Sequence, residues 1–458
     1  MSKDDARRRI SITCIRYLML CMARSTPENE PPNTESWEPA HFEKYAEDLH
    51  QRQFLDYALN HLEQLKNDCT LRLQQRKNDC SHCVDNEQFV SQLSKQLTKS
   101  PASLLFESWI DSYLGRGVAA KEQRLSAQDF RSKMLHAATR MQYSRVVEAL
   151  LTAGADKEAC LLQKTPLLIS AEAGDVATAR VLLRKGARTD AKDDKEQTAL
   201  LLAATKGHDT MVSLLVDSDA YKEVKDREGR TALHHAASNG HDSTVLLLVE
   251  TLHADKEAKD NSGGTALHHA TSNGYDSTVL LLVETLHADK EAKDKSGRTA
   301  LHYAASNGHN STVQLLVKTL GADIETKDNI RFTSLHYATI RGHQRTVRLL
   351  ATCGANVGAK DVGGREALHW AAMLGDKAAV QFLVNEFGVN REATDNQKHT
   401  AVHFAAPFGR ESTVQLLMNT LHVNKEAMNK KGNTALDIAQ KVLVSNYPQV
   451  VAAIKIDN

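Results

Sequence analysis

Between Thr231 and Asp260 the apolar positions fall into two short clusters with a polar break between them. Leu233, Ala236 and Ala237 recur at helical spacing and predict a short helix with one buried side, the alanines letting a neighbouring helix come close. Thr231 stands where a hydroxyl caps such a helix by accepting a backbone N–H two or three residues on. Asn239-Gly240 ends it, since glycine takes the left-handed conformation that helix C-termini favour. Val245, Leu247, Leu248 and Leu252 then give a second helix its apolar face. The polar run from Asp255 to Gly264 reads as turn. Two helices this short cannot bury their apolar faces alone.

The pattern returns along most of the chain. Thr265–Asp294 repeats Thr231–Asp260, with only Ala237/Thr271 and His241/Tyr275 differing. Further copies open at Thr165, Thr198, Thr299, Thr333, Glu366 and Thr400, with a shortened unit from Thr434 and a degenerate one from Met134 to Asp156. A period of roughly 33–34 residues is the mark of a stacked repeat. Neighbouring copies then bury each other's faces, and stability resides in the stack.

The string Thr-Ala-Leu-His-x-Ala-Ala-x-x-Gly-His, an apolar helix, then Ala-Asp-x-x-Ala-Lys-Asp resembles the ankyrin repeat. The resemblance implies an all-α solenoid over residues 131–458, built of helix-turn-helix units with β-hairpin-like tips. It also implies a concave groove, lined by turn tips and the exposed side of the first helices, that binds another protein. Register places Arg227, Glu228, Arg230, Ser238 and Asn239 on that groove, then Lys295 and Arg298. Asn329, Ile330, Phe332, Ile340, Arg341, Arg365, Met373, Leu374 and Phe408 follow. The middle units thus present polar residues. The later ones present Ile330, Phe332, Ile340, Met373, Leu374 and Phe408, and exposed apolar side chains in a groove mark partner sites. On this reading Arg230→Ala or Phe332→Ala leaves stability within about 1 kcal/mol, as surface changes do. Leu247→Ala costs about 2–5 kcal/mol, the range for a buried leucine.

Residues 1–130 lack the period and read as a helical lead-in. Arg7–Arg24 is too short for a membrane span and has Arg16 inside its apolar run, so an amphipathic helix is expected rather than a targeting peptide. Ser25–Pro39 holds four of the chain's eight prolines and reads as a linker. Two segments, Cys14–Leu20 and Phe54–Leu65, are similar to the region before the ankyrin array in fungal NACHT-type, NLR-like proteins. That similarity implies the recognition end of such a receptor. No Gly-x-x-x-x-Gly-Lys-Ser/Thr loop is present to hold phosphates, so nucleotide hydrolysis is not expected.

Charge and candidate chemistry change this picture little. With 57 basic and 57 acidic residues the formal net charge is zero, and no basic stripe points to nucleic acid. Seven cysteines without a dense framework fit a reducing compartment, cytoplasmic or nuclear. Cys80-Ser-His-Cys83 offers zinc ligands but lacks a second close pair. The His-Asp doublets at His208 and His241 stand where Tyr275-Asp276 and His309-Asn310 occur in other copies, so they follow the packing and not a metal. The second histidine set (His234, His268, His302, His336, His369 and His403) lies three residues after each cap and is placed to bond the cap and nearby backbone. No catalytic, cofactor or metal residue is therefore expected, and a monomeric, protein-binding scaffold is. The alternative is an enzyme or metal site around Cys80–Cys83, served by the repeats.

Overall fold

The computed structural model describes residues 127–443 apart from 141, 143 and 153, together with residue 454. The lead-in helices, the linker at 25–39, Cys80–Cys83 and the two NLR-like segments lie outside the described residues.

Each Thr-Ala-Leu-His string begins a helix. Thr231 is extended (φ −89°, ψ 174°) and Ala232–Ser238 follow as a helix. The equivalent first helices are Pro166–Ala173, Ala199–Lys206, Ala266–Asn273, Ala300–Ser306, Ser334–Ile340, Ala367–Leu374, Ala401–Ala405 and Ala435–Leu443. Gly240 shows why the break needs glycine. Its φ is +71°, and a Cβ there would lie 2.6 Å from the Tyr275 ring of the next copy. Ala236, Ala270, Ala304, Ala338, Ala371 and Ala405 are fully buried, one per unit, and let successive first helices pack closely.

The second helices come in two forms. Thr198 and Thr231 each follow the preceding capping threonine by 33 residues, and there Val176–Arg184 and Asp209–Asp217 are α-helical throughout. Thr265, Thr299 and Thr333 each follow by 34. In those units the helix widens into a π turn, at Leu247–Thr251, Leu281–Thr285 and Leu315–Thr319. The N–H of Leu252 reaches back to Leu247 O (3.0 Å) and that of Ala254 to Leu248 O (2.8 Å). In the 33-residue unit from Thr333, Ala355 reaches Leu350 O, one residue less. In these three units the extra residue is swallowed as a π-bulge, a device known inside α-helices. The 34-residue unit from Glu366 instead keeps Lys377–Asn385 α-helical and takes the residue up just beyond, where Val389 reaches Leu383 O. The core position is kept, three residues after the buried valine, as for Val212/Leu215 and Val347/Leu350 in the α-helical units. Val245 and Leu248 are fully buried whereas Leu247 is half-exposed, so the buried leucine expected at 247 is Leu248.

The contacts divide the described residues into two compact units. The first combines the described part of Met1–Ala199 with Ser213–Ala220. In it Ala127–Arg140 packs on Ser144–Thr152 and on Pro166–Ala173. A β-bridge between Leu161 and Lys164 closes its opening tip. The second combines Leu200–Val212 with the described part of Tyr221–Asn458 and holds every residue assigned above to the groove. Among the described residues no helix is long and apolar enough to cross a membrane.

Candidate functional site

In the second unit the turn tips are built on buried carboxylates. Asp226 accepts the N–H groups of Glu228 (3.0 Å) and Arg230 (2.8 Å) on Oδ1, closing the turn. Its Oδ2 takes Arg230 Nε at 3.0 Å and His235 Nε2 at 2.9 Å. Burial opposes the charge of Asp226, but the backbone and guanidinium of Arg230 outweigh it and hold the pKa below the usual range. The plan recurs nine residues apart: Asp260 with His269, Asp294 with Tyr303, Asp328 with Tyr337. The Tyr303 phenol is pushed up to about 12 by burial and by its bond to Asp294. This spacing was present in the sequence, and aligning Asp against the aromatic position of each first helix would have found it.

Successive tips are tied into a row. Asn261 donates its N–H to Glu228 O, Lys295 to Ser262 O, Asn329 to Ser296 O and Asn396 to Gly363 O, all at 2.9 Å. Val362 reaches Ile330 O at 3.1 Å and Lys430 reaches Gln397 O at 2.9 Å. The far ends of the first helices make a second row. Asn273 and Asn307 donate to Ser238 O and Ser272 O, His343 to Ser306 O, and Arg410 Nε to Met373 O. A seven-residue helix such as Ser334–Ile340 separates the two rows by about 10 Å, at 1.5 Å per residue.

The repeated imidazoles peg one copy to the next. The Thr231 hydroxyl and N–H both donate to His234 Nδ1, at 2.8 and 3.1 Å. Nε2 then donates to Gly264 O, 3.1 Å away in the following tip. His268, His302, His336, His369 and His403 do the same toward Arg298, Phe332, Arg365, Ala393 and Asn433. Burial, and then the neighbouring His269 ring, push His234 down to about 4. The His241 ring donates to Thr205 O, and Asp242 accepts the Thr278 hydroxyl. Among the described residues no three His, Cys, Asp or Glu side chains converge as a metal site.

The residues predicted for the groove divide by role. Arg230, Arg298 and Arg365 pair with the buried Asp226, Asp294 and Asp361. Arg298 and Arg365 also lie over the Tyr303 and Trp370 rings, 4.5 and 4.3 Å from their centroids. Exposed Glu228 carries one Arg230 nitrogen, and the Arg227 carbonyl accepts Asn261 Nδ2. Asn239 bonds His235 O, half-buried Ser238 accepts Asn273, Lys295 Nζ bonds Asn261 O and Asn329 Nδ2 bonds Lys295 O. Ile330, Leu374 and Phe408 are exposed, as is Arg341, while Ile340 and Met373 are half-buried. Phe332 is the correction. It is 7% exposed, its ring stacked on His336 at 5.3 Å and edge-on to Tyr337 and Trp370 at 5.6 and 5.5 Å. An aromatic ring in the place that Arg230, Arg298 and Arg365 occupy folds inward, where burying it removes a large apolar area from water. Val362, one tip further on, is 52% exposed.

Tandem helix pairs, pegged by histidine and joined tip to tip, define the class: a helical-hairpin repeat protein whose accessible feature is a surface. The profile described as ankyrin repeats (3 copies) matches in seven overlapping stretches, from 134–226 to 368–454. The chain belongs to the ankyrin-repeat family. No curated protein matches it.

Proposed function

We propose that the chain is an intracellular scaffold for protein–protein interaction, and that its partner sits on the tips and first-helix ends between Asn329 and Asn433. One observation carries this reading. Ile330, Val362, Leu374 and Phe408 are 47%, 52%, 36% and 53% exposed on one pair of rows. Clustered apolar exposure of this kind marks a partner site. Membership of the ankyrin-repeat family supports it, since such arrays serve in general as protein-binding modules. Both ring nitrogens of the pegging histidines are committed to the fold, which favours binding over catalysis. The narrower reading, recognition end of an NLR-like receptor, rests on residues 14–20 and 54–65, outside the described region.

Affinity capture from cells tests the surface. Leu374→Ser/Phe408→Ser should lose the captured partner, whereas Leu246→Ser/Leu280→Ser on the exposed side of the second helices should keep it. Loss with the second pair and retention with the first overturns the assignment.

A further inference from the structure

We infer that this same face takes an extended peptide segment in which carboxylates alternate with apolar side chains; the inference rests on the scaffold reading and names its partner's chemistry. The apolar positions are one half of the argument. Between Ile330 and Phe408 the two rows are bridged by the half-buried side chains of Tyr337, Ile340, Trp370, Met373 and Phe404, an apolar floor.

Charge is the other half. Arg331, Lys398, Lys430 and Lys431 stand exposed on the tips, and Arg341 and Arg410 on the helix ends. Among the described residues none of the six pairs with a carboxylate. The carboxylates nearby are spent inside the fold. Asp328 and Asp361 are buried in their turns, Asp395 holds His399, Asp376 caps a helix, and Glu411 holds Gln415. Between Asn329 and Asn433 the tips and helix ends thus hold six exposed cations against carboxylates that are buried or half-buried. The earlier tips set Glu228 against Arg230 or show Asn261 and Ser262, with Lys295 an exposed cation bonded to Asn261 O.

Two of these cations occupy unfavourable backbone. Arg331 and Lys398 have φ of +63° and +62°, where Gly229, Gly263, Gly297, Gly364 and Gly432 stand in other tips and Gln163 and Glu196 in the first two. Glycine would adopt that conformation without the Cβ clash.

Packed helices lie about 8–10 Å apart. Four units then extend over roughly 30 Å, which about nine residues of extended chain would span. Apolar side chains at alternate positions reach the floor, and carboxylates between them meet the two cationic rows. A nucleic-acid strand would match the cations but leave Ile330, Val362, Leu374 and Phe408 facing phosphate.

The test is selection of a phage-displayed random dodecapeptide library on the full chain, followed by fluorescence anisotropy of the enriched peptides. Enriched sequences should be acidic and apolar. They should weaken at least tenfold on Arg331→Gly/Lys398→Gly/Arg341→Ala, a variant in which glycine relieves the tips, and tenfold on Leu374→Ser/Phe408→Ser. Lys318→Glu on a second helix should change nothing. Enriched peptides that are neutral or basic, yet depend on Leu374 and Phe408, overturn the acidic assignment and leave the scaffold reading standing. Peptides indifferent to both variants, or no enrichment, sink both. Poly(U) RNA that binds and is not displaced by acidic peptides overturns the inference in favour of nucleic acid.

Discussion

The units from Thr231 to Arg298 and those from Asn329 to Asn433 share one skeleton and present opposite surfaces. In both, a histidine takes the capping threonine or glutamate on one nitrogen and gives the other to the next tip. In both, Asp or Asn at the tip accepts the N–H groups two and four residues on. The earlier units cover this skeleton with Asn, Ser and exposed Lys295, the later units with exposed apolar groups and six exposed cations. Residues that repeat build the stack. Residues that break the repeat carry the information about what the stack meets.

Mutations can break this division, beginning where the effect is largest. Phe332→Ala should cost about 3–5 kcal/mol, the range for a buried aromatic, although the residue belongs by register to the surface row. Leu248→Ala and Leu282→Ala, fully buried in matching places, should each cost about 2–5 kcal/mol and agree closely with one another. Denaturant melts of the three variants decide it, and a marginal loss for Phe332→Ala would return that ring to the binding surface.

Acid should act on the whole skeleton. His234 and His302 titrate near 6.5 when unfolded and at about 4 when folded, because burial disfavours the charged ring. His268, His336, His369 and His403 shift the same way. The unfolded chain therefore binds more protons between these limits. Their contribution is fully present above pH 6.5 and is lost as pH falls toward 4. Thermal midpoints measured across that window should fall steadily in both regions, and a flat profile would deny the pegs their role.

A smaller effect separates the later units. Thr244, Thr278 and Thr312 each donate to an Asp in the preceding copy, whereas the buried Thr413 hydroxyl lacks a partner. Lys377 stands in that acceptor's place and can only donate. Lys377→Asp should stabilise by about 1 kcal/mol, through the regained bond and an anion in the first helical turn. Least of all, Ile330→Ser should leave the melt within about 0.5 kcal/mol while weakening partner binding.

The helices and the stacking were legible because alanine, leucine and glycine recur in register. What stayed hidden was phase and depth. Leu247 and Leu248 are neighbours, and the one that faces inward is the one three residues after the buried Val245. Phe332 reads as exposed because its column holds arginines, yet a ring obeys its own solvation and turns in. The left-handed backbone at Arg331 and Lys398, which glycine takes in five other tips, shows only in the structure.

The π turns have an evolutionary consequence. Copies of unequal length can be inserted, lost or exchanged as cassettes, since the surplus residue is absorbed at the rear of the unit and the tips still meet. An array of this kind can lengthen its reading face without retuning its joints.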